Sequence, residues 1–246
     1  MSLNSISFRS LVYSQYIYKL KSYIGLFNSL VVLQLLAILF ALGGSGMSGT
    51  SGYGIRIDVN YYSADLVIIF TILWAFFSSI LMTTRSYQEE SYTFVTNRLS
   101  NNLSNIAVIL TMSIISGSTA LLSKPLMKVV LYVIGDTFFI EAETAISRMD
   151  QLSGIIATIL YILLAGSIGY LIGTVTQMHR LLTIIVPVVF IGILVAFDGE
   201  GQFTSKVTAF YYQETSILLF SAKMVVTIAL LCSAATLLSN RKEVRQ

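Results

Sequence analysis

Long apolar runs alternate with short polar intervals along the chain, and the lengths of the runs set the fold. A helix needs about 20 apolar residues to cross about 30 Å of hydrocarbon. Runs of that order lie at about 23–42, 64–84, 106–122, 152–174, 181–197 and 216–238, which predicts six transmembrane helices. Lys124-Pro125 interrupts the third run, and residues 126–135 are too few to span, so they read as an interfacial extension. The first run ends in the glycine- and serine-rich stretch 43–52, a flexible turn segment on the outer side. Residues 1–21 are mixed. Phe8, Leu11, Val12, Tyr16 and Leu20 fall at helical spacing, with Arg9, Lys19 and Lys21 on other sides. This predicts a helix lying in the inner interface with its basic residues near anionic head groups, not a signal peptide.

The polar interval 85–105 stands apart from the others. Val95, Leu99 and Leu103 recur every four residues, which gives a short helix one apolar stripe beside a charged face. Asn101, Asn102 and Asn105 read as a capping cluster at the mouth of the third apolar run. The expectation is a short amphipathic helix between two spans; the plain alternative is a solvated loop.

Composition agrees with a bilayer as the solvent. The 246 residues are 55% hydrophobic and 11% charged, with a mean hydropathy of +0.79, against roughly 25% charged residues in a soluble domain. Two prolines and unbroken apolar runs favour helices over a barrel, whose strands would alternate. The fold class is therefore an all-α integral membrane protein, with residues 1–246 as a single transmembrane domain. The net charge of +3 calls for no nucleic-acid partner, and the lone Cys232 carries no redox information.

The placement of lysine and arginine orients the chain. With the N-terminus inside, Arg9, Lys19, Lys21, Arg85, Arg98, Arg180, Arg241, Lys242 and Arg245 are cytoplasmic; Arg56, Lys124, Lys128, Arg148 and Lys206 fall outside, with the acids Asp58, Asp136, Glu141, Glu143, Asp150, Asp198, Glu200 and Glu214. Six spans with both termini cytoplasmic, in the plasma membrane, satisfy the rule.

Candidate chemistry is sparse. There is no Gly-x-x-x-x-Gly-Lys-[Ser/Thr] loop, so no nucleotide cradle is expected in this chain. His179 has no second His or Cys nearby, and no nucleophile–base pair is visible, so neither a metal site nor a catalytic centre is expected. Gly166, Gly169 and Gly173 on the fourth run form a small-residue stripe for close helix packing, within one chain or across a dimer. Asn28 and Gln34 in the first run are expected to face protein or a wet cavity, and Pro187 can kink the fifth. Three fates are open to Lys223, about two turns into the last run. It can snorkel outward, pair with Glu214 or Asp198, or line a substrate path.

The order of parts resembles the permease subunit of a type-2 ABC exporter in its small six-span Gram-positive form. The parts are a basic interfacial helix, two spans, an inner loop carrying Glu-Glu-x-x-Thr, four more spans and a short basic tail. The family pattern in that loop is an acid, Gly-Thr, a leucine-rich turn and Pro-x-Ser-Arg. Here Glu89 or Glu90 supplies the acid and Thr93 the threonine. Tyr92 replaces the glycine, Leu99 stands near the proline, and Asn101 and Asn102 replace Ser-Arg, with Arg98 close by. The run Leu164–Gly173, the basic turn 178–180 and the run from Leu181 to Phe197 are similar to the fourth and fifth spans of such permeases.

The resemblance implies a coupling helix that docks on a separate ABC ATPase subunit through Glu89, Glu90, Thr93, Phe94, Val95, Arg98 and Leu99. It implies no cofactor in this chain, with ATP and Mg on the partner, and a second permease copy or sister permease to complete the transporter. The substrate it implies is a peptide, an antimicrobial or a lipid-like molecule. The alternative is a non-transporting assembly or sensor protein. An intramembrane protease of the prenyl-endopeptidase kind fits less well, because position 94 is Phe94 where that family needs arginine.

Overall fold

The structure is a computed structural model that describes residues 7–44, 46–52, 55–84, 86–87, 98–134, 148–177, 181–182, 185, 188, 214 and 216–240. Its long elements are α1 (Phe8–Ser22), α2 (Ile24–Ala41), β1 (Gly46–Gly52), β2 (Ile55–Tyr61), α3 (Asp65–Met82), α4 (Arg98–Ile134), α5 (Arg148–Thr176) and α6 (Ile217–Asn240). The five helices α2 to α6 are each long and apolar enough to cross a membrane. That is the helix set of a multi-pass membrane protein. Apolar side chains remain exposed on their outer faces, such as Leu39 and Phe40 on α2 and Leu218 and Leu230 on α6. A lipid surround removes the cost that water would impose on such faces.

The first, second, fourth and last predicted spans correspond to α2, α3, α5 and α6. The fifth, with Pro187, lies almost wholly outside the described residues. The third differs. α4 is one helix of 37 residues with Pro125 inside it, so the predicted break at Lys124-Pro125 is not a break. Proline there forfeits one backbone bond, to the carbonyl of Leu121. The uninterrupted turns on either side hold the helix together. At about 1.5 Å per residue α4 is about 55 Å long, well beyond a hydrocarbon core.

The glycine-rich stretch after α2 is also more ordered than its composition suggests. Gly44 turns the chain with φ 88°, a left-handed conformation that favours glycine. β1 then pairs antiparallel with β2, from Gly46 opposite Tyr61 to Gly52 opposite Ile55. β1 has no strand propensity of its own. β2 alternates Ile55, Ile57 and Val59 with polar residues, a period-two signal that supplies it.

α5 is central: it packs on α3, α4 and α6. The main core gathers Tyr23, Trp74, Met82, Val108, Met112, Ile162 and Tyr170. Contacts fix the sense of each helix. Tyr161 of α5 lies beside Phe220 of α6, with ring centroids 5.5 Å apart. Further along both helices, the Cys232 thiol donates to the Ser167 hydroxyl at 3.7 Å. So α5 and α6 run parallel, and the end of α5 and the start of α6 lie at opposite ends of the bundle.

Candidate functional site

One end of the bundle collects the N-terminal turns of α4, the C-terminal turns of α3, α5 and α6, and all of α1. Two buried polar features of this end are built by α4. Its first turns carry Asn101, Asn102, Ser104 and Asn105, residues with weak preference for a helix interior. They do not cap a helix at the mouth of the run, as the sequence suggested, but lie inside α4. Tertiary partners take up their side chains, which removes the competition these groups normally offer to the helical backbone.

The first feature is centred on Lys19 of α1, which is 2% exposed. Its ammonium donates to the Asn101 carbonyl at 3.1 Å, the Asn101 side-chain oxygen at 2.5 Å, the Ser104 hydroxyl at 2.7 Å and the Asn105 side-chain oxygen at 2.5 Å. All four partners are neutral. Burial lowers the Lys19 pKa from its usual range to about 7, because removing water disfavours the charged form. The sequence placed this lysine among lipid head groups. The structure instead turns Gln15 and Lys19, one turn apart, toward the protein. The reason is the cage of oxygens on α4, which α1 alone does not reveal.

The second feature continues the first into α5. Asn105 passes the contact on, its amide nitrogen donating to the Tyr170 hydroxyl at 3.4 Å. That hydroxyl donates to the Asn102 side-chain oxygen at 2.9 Å. A hydrogen-bonded chain therefore joins α1, α4 and α5. Nothing in the sequence pairs Lys19 with Tyr170; the Asn/Ser density of residues 101–105 is the one local signal of a buried polar cluster.

Next to Tyr170 the glycine stripe meets α3 within this chain. A Cβ built on Gly169 would stand 2.2 Å from the Phe76 carbonyl oxygen, and one on Gly173 would stand 2.3 Å from the Thr83 hydroxyl and 3.1 Å from the Ile80 Cα. Gly166 faces Ile109 and Ser79. The three glycines bring α5 against α3 and α4, so the stripe is occupied inside one subunit.

Of the proposed coupling residues, Glu89, Glu90, Thr93, Phe94 and Val95 lie outside the described residues. Arg98 and Leu99 form the first turn of α4. The Arg98 guanidinium donates to the Ser239 carbonyl at 3.5 Å, which ties the start of α4 to the end of α6. Leu99 and Leu103 are exposed on the same helical face as Leu110 and Ile114. The apolar stripe read in the interval 85–105 thus continues the exposed apolar side of α4. Tyr87 stacks edge-on against Tyr23 at 5.0 Å, so the interval leaves α3 close to the α1–α2 joint.

Gln34 is buried in the bundle, as expected. Its amide donates to the Thr71 hydroxyl at 3.1 Å and the Ser116 carbonyl at 3.2 Å. Asn28 is exposed on α2, so it does not point into this bundle as Gln34 does. Its neighbour Ser29, also exposed, accepts from the Trp74 indole at 2.9 Å. Lys223 forms an ion pair with Glu214 across the start of α6, both groups being partly exposed. Among the described residues no group of His, Cys, Asp and Glu is placed to hold a metal. Comparison with protein-family models, with curated proteins and with solved structures found no match.

Proposed function

We propose that this chain is the permease half of an ATP-driven exporter of the type-2 ABC class, working with a separate ATPase subunit and a second permease. The single observation that carries this reading is the convergence at one end of the bundle. The interval 85–97 leaves α3 and enters α4 where α1, α5 and α6 also end. A load applied to that interval reaches four helices through Arg98–Ser239, Lys19–Asn101 and Tyr170–Asn102, as a coupling element requires. Such a bundle is driven between two arrangements by a partner that binds one of them better.

The parallel run of α5 and α6 supports six spans over five. The chain after Thr176 must return to the opposite end of the bundle before α6 begins, and residues 181–197 are apolar enough to do so. With that return crossing, α1 and the end of α6 share the end that carries Arg9, Lys19, Lys21 and Arg98, against Lys124, Lys128 and Arg148 toward the other. Positive residues collect on the cytoplasmic side, so that end faces the cytoplasm of a plasma-membrane protein. The cargo is an amphipathic or hydrophobic molecule.

The test is co-purification of a P-loop ATPase with the full chain, followed by substrate-coupled ATP hydrolysis in lipid. Phe94→Ala with Leu99→Ala should weaken both by about 2 kcal/mol of docking or more while the chain still inserts. Normal pull-down and coupling in that variant would sink the reading.

A further inference from the structure

We propose that α1 is a releasable latch, which docks on α4 through Lys19 and leaves it for a surface of anionic lipid. The motivating feature is the poor balance of the α1–α4 contact. Lys19 is buried against neutral oxygens only. One turn earlier Gln15 is 2% exposed, and among the described residues neither its amide nitrogen nor its amide oxygen has a partner; across the contact the amide nitrogen of Asn102 has none either. Buried polar atoms without partners weaken the state that buries them. A contact built solely to hold would carry apolar side chains or a carboxylate at these places. The polar part of the docked contact is therefore poorly compensated, while Tyr16 and Leu20 of α1 pack on the core.

Release has a hinge and a destination. A single non-helical residue, Tyr23 at φ −87° and ψ 18°, separates α1 from α2. α1 carries Arg9, Lys19 and Lys21 and no acid, and it exposes Phe8 and Tyr13. Basic residues with aromatic companions bind anionic head groups, each charge adding to the attraction. On release Gln15 is hydrated and Lys19 exchanges four neutral oxygens for phosphates.

The same exchange makes docking depend on pH. The groups facing Lys19 on α4 are Asn101, Ser104 and Asn105, none of which titrates. Tyr170 of α5 is reached only through Asn105, Tyr23 of the α2 joint is a phenol, and Arg98 is engaged with Ser239. Among the described residues Lys19 is thus the one group at the contact that gains or loses a proton near neutrality. Docked, burial brings it to about 7; released, it titrates near the ordinary lysine value of about 10.4. Between these limits the released state binds more protons, so docking strengthens as pH rises and is weakest below about 7.

The test uses the full chain with Cys232→Ser, spin-labelled through Ser14→Cys on α1 and Leu110→Cys on α4, with the label separation measured by pulsed electron resonance. Vesicles are phosphatidylcholine alone or with phosphatidylglycerol at about 7 to 3, the latter to supply the anionic surface. The expected result is a second, longer separation in the anionic vesicles at about pH 6, with the docked-to-released ratio rising up to about tenfold per pH unit above pH 7. Lys19→Met should abolish the pH response. Lys19→Arg should keep the lipid response and lose the pH response, because arginine does not deprotonate. A single separation under every condition would overturn the latch, and so would a wild-type pH response in Lys19→Met. Equal release in phosphatidylcholine alone would overturn anionic lipid as the second partner. No ATPase is present, so failure here is separate from failure of the transport reading.

Discussion

The hydroxyl of Tyr170 donates to the side-chain oxygen of Asn102 at 2.9 Å, and both residues are buried. This bond fastens the C-terminal turns of α5 to the N-terminal turns of α4 at the end of the bundle where the chain's polar residues gather. It also orients the Asn102 amide, whose nitrogen has no partner among the described residues.

Tyr170→Phe should therefore destabilise the bundle by about 1–3 kcal/mol, since it strips the last partner from a buried amide. Thermal unfolding of the purified chain in detergent reads this directly. Tyr170→Phe combined with Asn102→Leu should recover part of the loss, because the apolar pair leaves nothing unsatisfied. A double variant as weak as the sum of its parts would count against the bond as the cause.

Gly169→Ala should be the most damaging of the glycine substitutions on α5. Its new methyl meets the Phe76 backbone, which cannot rotate away. Overpacking of this kind costs about 1–3 kcal/mol. Gly25→Ala on α2 meets nothing within 4 Å and should be neutral or slightly stabilising. Equal yields of monodisperse protein from the two variants would contradict this seam.

Lys223→Met should leave assembly and transport near wild type. The Lys223–Glu214 pair is partly exposed, with side-chain exposures of 29% and 24%, and pairs of that sort contribute about 0–1 kcal/mol. A transport defect at normal protein levels would instead place Lys223 on the path of the cargo.

Sidedness is tested by single cysteines in intact cells. Ser48→Cys in β1 and Ser205→Cys should react with an impermeant reagent from outside, and Ser86→Cys should react only after the membrane is opened. Ser86 is exposed, whereas Asn102 is buried and would stay silent on either side. Reaction of Ser86→Cys from outside would invert the topology.

By itself the sequence determined the helices and their solvent. Runs of apolar residues long enough for a bilayer are a one-dimensional property, and α2, α3, α5 and α6 follow them within a few residues. The glycine stripe was legible for the same reason, because spacing along one helix fixes one face. What faces that stripe was decided by the tertiary structure, which set Gly169 on Phe76 and Gly173 on Thr83. The polar cluster was decided there as well. Asn101, Asn102 and Asn105 have the composition of a cap, and Lys19 has that of a lipid anchor. The two readings change together once α1 lies on α4, since each group supplies the partner that the other lacked. Pro125 shows the same limit from the other side. A local rule ends a helix there, but the loss of one backbone bond is small beside the bonds of a 37-residue helix packed along the bundle. Local preference governs where nothing else competes; long-range partners override it where burial makes an unmet hydrogen bond expensive.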